Sequence, residues 1–259
     1  MYFGTSDTRA CFALVSEALL RQDNKKVVLI LHSQGGLEGS IIVDWLIDQH
    51  PRDIMQKLEV YTFGNAANHF NNPRIRRFKT GDSSSEKRRR TIRHIEHYAN
   101  SKDFVSRWGV LHFKRETALQ HSRGIINGLK AIVMSDQTET KLKRRSTDSD
   151  VYGYTELQAS WNSYHGAVFE RVGSGHQFNQ HYLDNMFPLD ESMRRVKQLS
   201  DGSPLKGTFM DTEVKVHNEP TEDKTAVNGN NAVGDQVGVR KVYQLSRLWQ
   251  YTNGRDPTD

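Results

Sequence analysis

The sequence predicts an α/β fold with a mostly parallel sheet flanked by helices. Three observations carry this expectation. Residues 27–31 (VVLIL) form a continuous aliphatic run, which suits a strand buried on both faces. Apolar residues recur at helical spacing on either side of that run. Further strand-like runs at 58–63, 92–99 and 167–172 extend the pattern, and the alternation of strand and helix argues for a parallel sheet.

Residues 6–22 read as the first helix. Thr5, Ser6 and Asp7 are candidate N-caps, because a short polar side chain can take a free backbone N–H of the first turn. Cys11, Leu14, Val15, Ala18 and Leu19 line one face. A polar turn at 23–26 leads into the strand 27–31, and 32–36 is a tight turn. Residues 37–49 read as a second helix, with Ile41, Ile42, Trp45 and Leu46 inward and Pro51 marking its end. LEVYTF at 58–63, the run 92–99 and AVFERV at 167–172 supply further strands. Ile125, Ile126, Leu129, Ile132 and Val133 suggest another helix, and 135–150 reads as a loop. After about Asp190 the chain turns polar. The expected division is therefore a domain over 1–195, with 114–160 as a lid or insertion, and a tail over 196–259. That tail is expected to be largely disordered, most clearly over 211–236, with a short helix near 240–250.

A length of 259 residues fits one domain plus extensions. Hydrophobic residues make up 36 %, and the shortfall falls on two charged stretches and the tail, so the rest can still build a core. The single cysteine, Cys11, excludes an intrachain disulfide and reads as a buried, inert thiol. The net charge of +5 owes much to EKRRRTIR at 86–93 and KLKRR at 141–145. No aromatic residues interleave with these bases, so no nucleic-acid partner is expected. No apolar run spans a bilayer and no secretory leader is visible, so the sequence predicts a cytoplasmic protein.

The sharpest chemical signal is the strand–turn–helix segment 27–36, VVLILHSQGG. A strand that runs straight into Ser33, then glycines, then a helix is the setting of a nucleophile elbow. The turn exposes the Ser33 hydroxyl at the C-terminal edge of the sheet, where open α/β sheets bind ligands. The following helix directs its positive end at a developing oxyanion, and the Gln34 N–H is one expected oxyanion donor. Gly35 and Gly36 are expected to let helix and strand pack closely. The usual pattern is G-x-S-x-G. Gly35 matches its last position, whereas Leu31 replaces its first and needs small neighbours. His32 precedes the serine, so its side chain is expected to point away.

Three segments, in order, carry a family resemblance: LHSQGG at 31–36, VYTFGNAANHF at 60–70 and HYANSKDFV at 97–105. On these motifs the chain resembles the α/β-hydrolase superfamily, particularly class-3-like lipases and related fungal-type serine hydrolases. The resemblance spans roughly 2–189. It implies a serine esterase or lipase in which Asp103, in the family's N-x-x-D-x-V pattern, is the acid of a catalytic triad. A hydroxyl needs a base, and the base needs an orienting acid. His176 is the expected base. It follows AVFERV and Gly173-Ser-Gly175, and the family's histidine similarly lies in a loop after the last strand. His181 is the reserve base and Glu96 the reserve acid. Asn65, with Asn68 and His69, either lines the pocket or makes plain turns.

The reaction expected of this set is hydrolysis of carboxylic, lipid-like esters through an acyl-enzyme, with no cofactor. Acyl transfer and thioester or amide hydrolysis use the same intermediate. A non-catalytic binding or scaffold protein on a hydrolase-derived fold is the alternative. The histidine spacings fit no zinc motif, so no metal is expected. Only one helix precedes Val27, whereas the family has several strands before its elbow. The resemblance therefore implies a sheet reduced at its N-terminal side, or a truncated version of a longer protein.

Overall fold

The computed structural model describes residues 4–73, 90–114, 164–216 and 238–257. The chain divides into two compact units, 1–176 and 177–259. The first boundary thus falls at 176/177 instead of 195/196.

Among the described residues the first unit is built on a four-stranded sheet in the order β1-β2-β3-β4: β1 (Val27–His32), β2 (Leu58–Phe63), β3 (His94–Asn100) and β4 (Ala167–Arg171). All pairings are parallel, so every strand ends at the same edge. Helices α1 (Ser6–Leu20) and α2 (Gly35–Gln49) precede and follow β1, with a short α3 (Arg52–Met55) before β2 and α4 (Phe104–Trp108) after β3. The chain is of the α/β class.

One sheet face carries the apolar core. Strand register places Leu29 beside Val60 and Val60 beside Ile95. These residues bury against Leu19 of α1 and Ile42, Val43 and Leu46 of α2. Helix α1 is capped by Thr5, whose hydroxyl accepts the Thr8 N–H at 3.2 Å. Its inward face differs from the expected one. Leu14 is 68 % exposed, and Phe12 instead meets Trp45 edge-on at 5.8 Å. Burial pushes the half-buried Cys11 thiol up, which disfavours the reactive thiolate.

Strand β2 is buried at every position, but β1 is not. Val28 and Ile30 are 43 % and 52 % exposed, contrary to the expectation of a strand buried on both faces. The reason is topological. Among the described residues β1 is an edge strand, with β2 as its neighbour on one side only.

The second unit has its own core, so the described parts of the expected disordered tail, 196–216 and 238–257, are structured. Tyr182, Met186, Phe209, Met210, Val242 and Trp249 are buried. Phe187 stacks on Trp249 at 6.0 Å, and Phe209 N–H donates to Asn185 Oδ1 at 2.8 Å. An antiparallel pair, β5 (Glu213–Val216) and β6 (Gly238–Lys241), leads into helical turns at Val242–Leu245 and Leu248–Gly254. Composition misled here because few apolar residues suffice for a small core fed from 182–186, 209–210 and 242–249 together. The expected lid at 114–160, apart from Lys114, the helix around 125–133 and the basic run 141–145 lie outside the described residues. So do 86–89 of the other basic run and 217–237 of the tail. Among the described residues, no helix is long and apolar enough to cross a membrane.

Candidate active site

Strand β1 ends at His32, and Ser33 turns the chain with φ +57°. A residue with a Cβ rarely adopts this left-handed conformation. It persists where surrounding bonds over-determine it. Here the Ser33 N–H donates to the Phe63 carbonyl at 3.1 Å, and the Ser33 carbonyl accepts from Gly36 N–H at 3.0 Å and Ala66 N–H at 3.2 Å. The end of β1 is thereby locked to the loop after β2. Helix α2 starts at once, and Gln34 is its N-cap residue. The exposed Gln34 has no acceptor for its backbone N–H among the described residues, as expected at a helix start.

The glycine positions explain how this elbow tolerates Leu31. A Cβ at Gly39 would lie 2.1 Å from Leu31 Cδ1, so the leucine side chain occupies space that only glycine leaves open. The small neighbour that Leu31 requires is therefore Gly39, one turn beyond the expected glycine pair. A signal existed in the sequence: glycine inside a helix costs about 1 kcal/mol relative to alanine, so its presence asks for a close approach. At Gly36 a Cβ would lie 1.9 Å from Asn65 Oδ1, whereas at Gly35 it would meet nothing within 4 Å. Close packing thus falls to Gly36 and Gly39, not Gly35.

Strand β3 supplies the acid. Asp103 is 1 % exposed and caps α4, with Oδ1 accepting Val105 N–H at 2.9 Å and Oδ2 accepting Ser106 Oγ–H at 3.1 Å. The loop after β4 supplies the imidazole. It is tied to the end of β3 by Ser101 N–H to Arg171 O at 2.8 Å and Lys102 N–H to Gly173 O at 2.9 Å. His176 then lies between the other two residues. Its Nδ1 is 2.9 Å from Asp103 Oδ2, and its Nε2 is 2.7 Å from Ser33 Oγ. Room for the pair comes from Gly64 at the end of β2. Its φ is +54°, and a Cβ there would sit 2.9 Å from Asp103 Oδ2 and 3.0 Å from His176 Nδ1. The structure thus joins Ser33, His176 and Asp103 in one hydrogen-bonded chain.

Donor rules assign the protons. The carboxylate can only accept, so His176 Nδ1–H donates to Asp103, and Nε2 accepts the Ser33 hydroxyl proton. Such an arrangement can draw a proton from the serine and stabilise the resulting imidazolium against the buried carboxylate.

Other singled-out residues take different places. Asn65 is fully buried. Its Oδ1 accepts Ala67 N–H at 2.8 Å, and its Nδ2 donates to Tyr164 Oη at 2.8 Å. It braces the elbow from beneath. His69 bridges Asn68 Oδ1 and Asp44 Oδ2, at 2.8 and 3.0 Å, and so pins the loop to α2. Glu96 accepts Tyr98 Oη–H at 2.6 Å within β3, while His181 Nδ1 accepts Gln177 N–H at 2.9 Å. The Ser33 hydroxyl is engaged by His176.

Sequence reasoning gave His97 no structural role and His32 at most a supporting one. His97 is fully buried beside the elbow. Its Nε2–H donates to His165 O at 2.9 Å, so its Nδ1 accepts the Thr62 hydroxyl at 2.8 Å. Burial pushes its pKa down to about 4. His32 does not point away. Its ring stacks on His176, with centroids 4.7 Å apart and planes at 30°. Side-chain alternation applies only within a strand, and β1 ends at His32, with the left-handed turn at Ser33 directly after it.

Among the described residues, no group of three or more His, Cys, Asp or Glu side chains is placed to hold a metal ion. A comparison of the chain with protein-family models, with curated proteins and with solved structures found no match.

Proposed function

We propose that the chain is a serine hydrolase of the α/β-hydrolase type that cleaves carboxylic, lipid-like esters through an acyl-enzyme. The observation that carries this reading is the hydrogen-bonded chain Ser33–His176–Asp103, drawn from the C-terminal ends of β1, β4 and β3. Ser33 Oγ attacks the ester carbonyl as its proton passes to His176 Nε2. The imidazolium then protonates the leaving alcohol. Water, deprotonated by the same nitrogen, releases the acid. Asp103 holds the imidazole in register and balances its charge. The Gln34 N–H at the start of α2 faces the developing oxyanion.

The lipid-like part of the reading rests on the rim of this sheet edge. Phe104 and Trp108 pair on α4 directly after Asp103, with centroids 5.1 Å apart, and are 65 % and 72 % exposed. Leu37 and Val172, exposed after β1 and β4, belong to the same edge. An apolar rim suits an acyl chain better than a charged substrate.

The test is labelling of the full chain by a fluorophosphonate probe, read by mass spectrometry, alongside release of p-nitrophenol from short and long acyl esters. Labelling at Ser33 and its loss in Ser33→Ala are expected. Asp103→Asn is expected to slow hydrolysis about 10³–10⁴-fold. Folded chain that neither labels nor hydrolyses any ester leaves the scaffold reading in its place.

A further inference from the structure

We propose that His32 is the positioning residue of the base: it fixes both the main chain and the ring plane of His176. The proposal rests on the reading of Ser33 and His176 as nucleophile and base. Two hydrogen bonds, to Asp103 and from Ser33, hold the edges of the His176 imidazole. Both act near the ring plane, so neither restrains tilt about the line joining the two nitrogens. His176 also stands at the end of a loop, and its side chain is 33 % exposed. His32 supplies what these bonds lack. Its Nε2 lies 2.7 Å from the His176 carbonyl oxygen, and its ring covers one imidazole face. A carbonyl only accepts, so His32 is the Nε2–H tautomer.

The placement couples two groups far apart in the chain. His32 directly precedes Ser33, so nucleophile and base take their positions from the same strand end. A displacement of that strand end carries both groups with it. Burial, the main influence on His32, lowers its pKa and favours a neutral ring. Neutrality suits the role, because a second charge against the His176 face would oppose the imidazolium that catalysis needs.

Three variants separate the two contacts. His32→Ala removes both, His32→Phe keeps a flat ring without the donor, and His32→Gln keeps an N–H donor without the ring. Fluorophosphonate labelling and ester turnover are expected to fall about 100-fold in His32→Ala, the scale of a misplaced catalytic group. His32→Gln and His32→Phe are each expected to recover about tenfold of that loss. Nitrogen-15 NMR supplies a readout that needs no turnover. In the wild type the His176 Nδ1–H signal is expected to be sharp and far downfield, and His32 protonated at Nε2. In folded His32→Ala the His176 signal is expected to be lost to exchange. The proposal is overturned by an Nδ1–H tautomer at His32 in the wild type. It is equally overturned if folded His32→Ala keeps the wild-type His176 signal. If His32→Ala does not fold, the wild-type tautomer and the other two variants still decide. Absence of wild-type labelling would count against the hydrolase reading, while the NMR results would still judge the role of His32.

Discussion

Strands β1 and β2 lie side by side and in register, yet they differ in what surrounds them. All six positions of β2 are buried, whereas β1 buries only Leu29 and Leu31. Ser33, the proposed nucleophile, follows the less protected of the two. Its support comes from elsewhere: Leu31 inserted against Gly39, the Phe63 carbonyl, and the Ala66 N–H. A strained turn can therefore be held by the helix and loop that follow it, even where its own strand is an edge.

The largest effect on this contrast is expected at Gly39. Gly39→Ala forces a methyl group into the Leu31 side chain and should cost about 3 kcal/mol or more by urea denaturation. Leu31→Ala should relieve much of it, so strictly additive losses in the double variant would break the argument. A second effect lies on the β2 side, where Thr62 holds His97. The folded pKa of His97 is about 4 against an ordinary 6.5, so between those values the unfolded chain binds a proton that the folded chain does not. Stability should therefore fall as pH drops from 7 to 4, by about 2–3 kcal/mol from this residue. In His97→Gln that share of the slope should vanish, and an unchanged slope would contradict it. The smallest effect compares the strands directly. Val60→Ala, at a fully buried position, should cost about 2 kcal/mol. Ile30→Thr should stay within about 0.5 kcal/mol. A large loss at Ile30 would mean that another surface covers β1 in solution.

Much of the site was legible because it depends on chain order and local pattern. A strand running into Ser33, an aspartate after the third strand and a histidine after the fourth are written in successive segments, and the fold brings their ends together. The rest depends on contacts that no local pattern records. VVLIL reads alike in a central strand and at an edge, since burial on the second side is decided by neighbours. The contact between His32 and His176 spans 144 residues. For Asn65 the sequence leaves pocket lining and a plain turn equally open. Its partners, Tyr164 and the space over Gly36, appear only after folding. The unit over 177–259 failed for a related reason, since its core is assembled from scattered single residues.

The three hydrogen-bonded groups follow three different strands, and His176 reaches Ser33 only when β1 to β4 stand in order. The serine's environment is thus a conformational reporter for the whole sheet. A reagent that attacks only the partnered hydroxyl counts molecules whose four strands are assembled. Its rate of capture during denaturation should trace the unfolding curve of the sheet, and during renaturation it should date the arrival of the last strand.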